Sequence, residues 1–166
     1  MAPGTIDYAA SYFKYKTLTL IRGEPTHKAL KRLQIELQSN TSSVEIDLGG
    51  SNYGHLALVL SDTDYNSISN TAPFVVPMYL LPLTIPNIAT PIEVLELKDA
   101  YNKQKQLYLE YKNVEKVLLC HIQETIEDKY ISSLVDEYTN LLCDDIPIVI
   151  DYLKYNYRKV RSKEVT

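Results

Sequence analysis

Five of the eight prolines fall at positions 73, 77, 82, 86 and 91, and after Pro91 neither proline nor glycine returns until Pro147. This contrast limits the fold more than any other feature. Each proline removes a backbone donor and biases its predecessor towards extended angles. No regular helix or central strand fits between prolines so closely set. Yet the segment is apolar, carrying Phe74, Val75, Met78, Tyr79 and Leu80. It must lie on something, either the body of the protein or a partner chain. The expectation is the body, because long loops in compact domains are usually packed or functional. The same five side chains are the candidates for self-association or partner contact.

The uninterrupted stretch after Pro91 predicts one helix to about Ile126, roughly 50 Å long at 1.5 Å per residue. Val94, Leu97, Tyr101, Tyr108, Tyr111, Val114, Leu118 and Ile122 fall near one stripe of it. Core packing within one chain explains that stripe better than a coiled-coil seam, since Gln104 interrupts it and tyrosine is a poor seam residue. Lys103 to Gln106 is polar all round, so this turn is either exposed or a break.

Three of the five glycines, Gly49, Gly50 and Gly54, lie within six positions, ahead of the apolar run Leu56 to Leu60. Their spacing is that of a phosphate-binding loop, which needs a lysine and then a serine or threonine after the last glycine. His55 and Leu56 stand there instead, and neither can hold a phosphate or its magnesium. The glycines are therefore read as a structural turn, with Gly54 bending the chain and Leu56 to Leu60 buried behind it.

Elsewhere the pattern is helical. Residues 1–22 read as an extended, tyrosine-rich arm on the body. Pro25 and Thr26 open a helix whose apolar face is Leu30, Leu33 and Leu37, with Lys28, Lys31 and Arg32 on the other side. Asp62 suits the cap of a short helix to about Ser69. Ile131, Leu134, Val135, Tyr138, Leu141 and Leu142 predict a further amphipathic helix. Asp144 and Asp145 before Pro147 predict the start of a last one, facing inward through Ile146, Ile150, Leu153 and Tyr157. The sum is an all-α fold: an orthogonal bundle of about five to six helices, an extended N-terminal arm and a long proline-rich apolar loop. The divisions are 1–22 for the arm, 23–160 for the helical domain and 161–166 for a basic tail.

At 166 residues, 45% hydrophobic and 23% charged, the chain has the make-up of a soluble globular domain. No window approaches the roughly 18 apolar residues of a membrane span. The first residues lack the basic start and apolar core of a signal peptide, so a cytoplasmic setting is expected. Cys120 and Cys143 then read as thiols, favoured as buried filler. The net charge of −4 opposes a whole-protein grip on nucleic acid. The end of the chain is locally basic, however: Lys154, Arg158, Lys159, Arg161 and Lys163 could form a weak phosphate-contacting arm. His27, His55 and His121 do not combine at ligand spacing, and Glu124, Glu127 and Asp128 read as a solvated helix end. There is no Cys-x-x-Cys, and Asp62-Thr63 is followed by Asp64 rather than glycine. Catalytic, metal, cofactor and small-molecule roles are not expected.

Several stretches share wording with one family. Leu48 to Leu60 reads Leu-Gly-Gly-x-x-x-Gly-His-Leu-x-Leu-Val-Leu, followed by Tyr65 and Ile68-Ser69-Asn70. Gly23-x-Pro25-Thr26 precedes it and Pro73-Phe74-x-x-Pro77 follows. Tyr130-Ile-Ser-Ser-Leu134, Ile146 to Leu153 and Asn156-Tyr157 complete the set. From about Leu18 to Val160 the chain resembles the Gag, or capsid, region of copia-type LTR retrotransposons. That family commonly closes its last helix with Tyr-Gly, where this chain has Arg158. The resemblance implies a helical, non-enzymatic protein that self-associates into particles around RNA. The alternative is a monomeric helical adapter, domesticated from such a protein, that binds a partner peptide.

Overall fold

The computed structural model describes residues 10–46, 53–69 and 74–157. The fold is all-α. Four α-helices lie among the described residues, fewer than the five to six expected: α1 (His27–Ser42), α2 (Asp62–Ile68), α3 (Pro91–Thr125) and α4 (Ile146–Tyr157). Short 3-10 turns cover Leu56–Leu58, Asp128–Tyr130 and Ser132–Leu134.

The helix starts follow simple capping chemistry, with two shifts from expectation. Thr26 is the N-cap of α1, its hydroxyl accepting from the Ala29 N–H, so Pro25 stands before the helix rather than in its first turn. Ser61, not Asp62, caps α2 and accepts from the Asp64 N–H. Thr90 and Glu93 form a reciprocal capping box on α3, with Pro91 at the first position.

The core joins Leu30, Leu33 and Leu37 of α1 to Ile146, Val149, Ile150 and Leu153 of α4. Val114, Leu118 and Ile122 of α3 close it from the third side. The chain ahead of α1 lies on this body through buried Phe13, Leu18 and Ile21. Polar contacts also hold it. The Asn40 amide donates to Tyr15 O and accepts from Tyr15 N, both at 2.9 Å, and the buried Glu36 carboxylate accepts from the Thr19 N–H and hydroxyl. Ile21 N donates to Thr125 O at 3.0 Å. These bonds satisfy polar groups that burial would otherwise strand.

The helix expected over residues 131–142 does not form. After the two 3-10 turns, Val135 and Leu142 make an isolated antiparallel bridge around a tight turn. The cause is local. Asp136 Oδ1 accepts from the backbones of Tyr138 and Thr139, offering the chain a partner other than the helical one. These hydrogen bonds to the carboxylate hold the Asp136 pKa below its ordinary value. Asn140 takes φ 58°, which a helix does not allow. Gln123 of α3 then clamps the turn, donating to Asn140 O and accepting from Leu142 N.

Candidate self-association surface

The glycine turn is structural among the described residues; Gly49 and Gly50 lie outside them. Gly54 has φ +50° and is buried against the end of α1. A Cβ there would overlap Val44 O and stand 2.8 Å from Ser42 O. The next residue uses the space so kept. His55 donates its backbone N–H to Thr41 O and Val44 O, and its Nδ1 lies 2.7 Å from Val44 O. A carbonyl only accepts, so Nδ1 carries the proton. The ring is buried, stacks on Tyr111 at 6.5 Å, and leaves Nε2 without a partner. Burial lowers the His55 pKa and raises that of the Tyr111 phenol. Leu56, Leu58 and Val59 are buried behind the turn, while Ala57 and Leu60 are partly so. The Gly-His-Leu sequence is thus a clasp between the end of α1 and the next segment, and His55 faces no open pocket.

The proline-rich segment behaves differently at its two ends. Phe74 sits between Tyr65 and Tyr111, with ring centroids at 5.9 and 6.0 Å, and Pro77 is buried. Tyr79 then meets the Tyr108 ring edge-on at 5.8 Å. Beyond it the strap has to reach Thr90, the cap of α3. The helix from Pro91 to Tyr108 is about 25 Å long, and the strap from Tyr79 can span about 40 Å. It therefore runs back over the first half of α3, opposite in direction. On that half, Val94, Tyr101 and Tyr108 recur every seven residues and are partly covered.

Most of the strap's apolar side chains face outward. Met78 is 80% exposed, Leu81 76% and Ile88 94%. Val75 and Tyr79 are exposed as well, while Leu80 is partly buried. The expectation that the segment packs on the body holds in part: Phe74 and Pro77 do so, and Leu80, Leu83 and Ile85 are partly covered. Ile92, 70% exposed, and Leu95 are also open on the first turns of α3, but helical spacing sets them away from the Val94, Tyr101 and Tyr108 stripe. No residue of α3 before Tyr111 is fully buried. Lys103 to Gln106 is solvent-exposed within an unbroken helix. Strap and half-helix together form an arm standing off the core.

Of the basic residues singled out at the chain end, only Lys154 lies among the described residues; Arg158, Lys159, Arg161 and Lys163 fall outside them. Lys154 is partly buried and donates to Gln34 of α1 at 2.7 Å. Cys143 is exposed and Cys120 partly so, which corrects their reading as buried filler; both are free thiols. Among the described residues no cluster of three His, Cys, Asp or Glu side chains is placed to hold a metal, and no helix is long and apolar enough to cross a membrane. Glu36 and Asn40, which tie the N-terminal arm down, were not singled out from the sequence. Their signal was a pair of polar residues one turn apart beside the leucine face of α1.

Comparison with known protein families, curated proteins and solved structures finds no match to this chain.

Proposed function

We propose that this chain is a capsid-like structural protein of the retrotransposon Gag type, self-associating into particles around RNA. The observation that carries the reading is the outward-facing apolar strap from Val75 to Ile88. Val75, Val76, Met78, Tyr79, Leu81 and Ile88 are each more than half exposed along one short segment, a concentration of open apolar side chains of the kind that marks an interaction site. Many weak copies of such a contact, multiplied by valency, suffice to hold a particle together. The motifs shared with copia-type Gag support the same reading. RNA contact falls to the basic end from Lys154 through Lys163. Exposed Lys28, Lys31 and Arg32 on α1 supply further cations near the Lys154–Gln34 contact.

Light scattering and negative-stain imaging of the pure protein, with and without RNA, test the proposal. Oligomers that grow into shells are expected. A strict monomer at high concentration in both conditions would contradict it.

A second reading, the monomeric adapter, draws on one feature. A groove of about 580 Å³ between α1 and α2 is lined by Ile35, Tyr53, Leu56, Leu60 and Ile68. A partner peptide could lay apolar side chains there. A clean monomer that binds apolar peptides at this groove would favour it.

A further inference from the structure

We infer that the strap of one molecule docks in the groove between α1 and α2 of the next, so that each copy offers a strap and receives one. The inference rests on the self-associating reading above and specifies its contact.

No strap residue lines the groove of its own molecule. Phe74 is held between Tyr65 and Tyr111, and Tyr79 meets Tyr108. From there the chain runs over the half of α3 that stands off the core, towards Thr90. The groove is left open, while Val75, Met78, Tyr79 and Leu81 face outward.

Charge selects the seat. No charged residue occurs between Tyr65 and Ile92, so the strap needs a surface on which its docking strands few ions. The cavity beside Val76 and Tyr111 is lined by Asp62, Lys112, Glu115 and Asp145, and the one beside Leu141 by Lys112, Glu115 and Lys116. The groove between α1 and α2 has Asp64 as its single charged lining residue. Its apolar part is Ile35, Tyr53, Leu56, Leu60 and Ile68, of which Ile35 and Ile68 are exposed.

Backbone chemistry agrees. Among the described residues, no backbone-to-backbone hydrogen bond joins the stretch from Val75 to Ile85 to another part of the fold. Pro77, Pro82 and Pro86 keep that stretch extended, the form in which proline-rich segments enter aromatic-lined grooves. The Ser42 and Ser67 hydroxyls that line the groove donate to Ser39 O and Asp64 O of their own helices. Their oxygens keep lone pairs that can accept from the strap's N–H groups.

A strap and a groove are different surfaces, so the contact is head-to-tail. It repeats from copy to copy instead of closing a two-fold dimer. Each contact is small, in the range of transient interfaces below about 1,200 Å² in total, and valency supplies the strength. The receiving molecule lies over the first half of α3, beside exposed Leu95.

The test is sedimentation velocity on the full chain over a range of concentrations. M78E/L81E charges the strap and leaves the groove intact; I35E/I68E does the reverse. Each alone should weaken self-association about a hundredfold and stay monomeric where the wild type forms larger oligomers. Mixed in equal amounts, the two should form a one-to-one dimer and nothing larger, because one intact strap meets one intact groove and neither end can extend. All four positions are exposed, so melting and circular dichroism should match the wild type. Ile35→Lys, a single change on the outer face of α1, repeats the test should I35E/I68E unfold.

I35E/I68E associating like the wild type would overturn the groove as the seat. A mixture that stays monomeric would overturn the pairing of strap with groove. Particles forming normally from I35E/I68E would sink this inference while sparing the functional reading. Strap-in-groove oligomers that never grow into particles with RNA would do the opposite.

Discussion

The two halves of α3 belong to one unbroken helix and have opposite roles. From Tyr111 to Thr125 it contributes Val114, Val117, Leu118 and Ile122 to the core and receives the N-terminal arm at Thr125. From Pro91 to Glu110 it buries no side chain fully; Tyr108 meets Tyr79 of the strap, and only Leu107, near its end, packs against the edge of the core. Backbone propensity does not separate the halves, since neither contains proline or glycine after Pro91. Their surroundings do. The C-terminal half is held by α1, α4 and the chain ahead of α1. The N-terminal half is held by its capping box, by the strap and, on our proposal, by another molecule. On that proposal, stability and assembly are carried by different turns of the same helix, and each can be perturbed without the other.

The largest effect is expected at Leu118, which is fully buried. Leu118→Ala should cost about 2–5 kcal/mol in denaturant unfolding, through lost burial and the cavity left behind. A cost below about 1 kcal/mol would mean that this half is not core. Next comes the clasp. Gly54→Ala forces a side chain into left-handed backbone angles and against Val44 O, and should cost about 2 kcal/mol or more. A neutral result would show the turn to be free to move.

Acid gives a smaller, one-sided change. Burial lowers the pKa of His55 and of His121, so below pH 6.5 the unfolded chain binds more protons than the folded one. Stability of the body should therefore fall as pH drops through 6.5, and level off once the folded histidines also titrate. The region from Phe74 to Glu110 has no histidine, so His55→Gln should flatten the stability curve and leave arm-dependent association unchanged. The smallest effect is at Leu95: Leu95→Ala should change folding stability by less than about 0.5 kcal/mol, as for an exposed site, while measurably weakening self-association.

Much of this was legible in the sequence because it depends on local chemistry. The limits of α3 follow from Pro91, its cap and the long stretch without helix breakers. The leucine face of α1 and the bend at Gly54 are local too. The false helix at residues 131–142 had the right spacing of apolar residues. Spacing does not register Asp136 and Asn140 diverting the backbone into a turn that Gln123 then clamps. The strap was legible as apolar and irregular, but not as exposed. Exposure depends on where the body ends, and the polar turn Lys103 to Gln106 marks that change only as a stretch either exposed or broken. For the same reason, the sequence points to five candidate contact residues and not to Leu81, Ile88 and Ile92, which are also exposed. Glu36 and Asn40 escaped notice because their partners lie far along the chain, at Thr19 and Tyr15.

The central claim, one helix divided between core and contact, is most directly tested by hydrogen–deuterium exchange followed along α3 at rising protein concentration. The account predicts that amides from Ile92 to Gln106, with those of the strap, gain protection as concentration rises. Those from Tyr111 to Thr125 should be strongly protected from the start and stay so. Protection of the first half that is already complete at the lowest concentration, or a gain spread evenly along the helix, would contradict it.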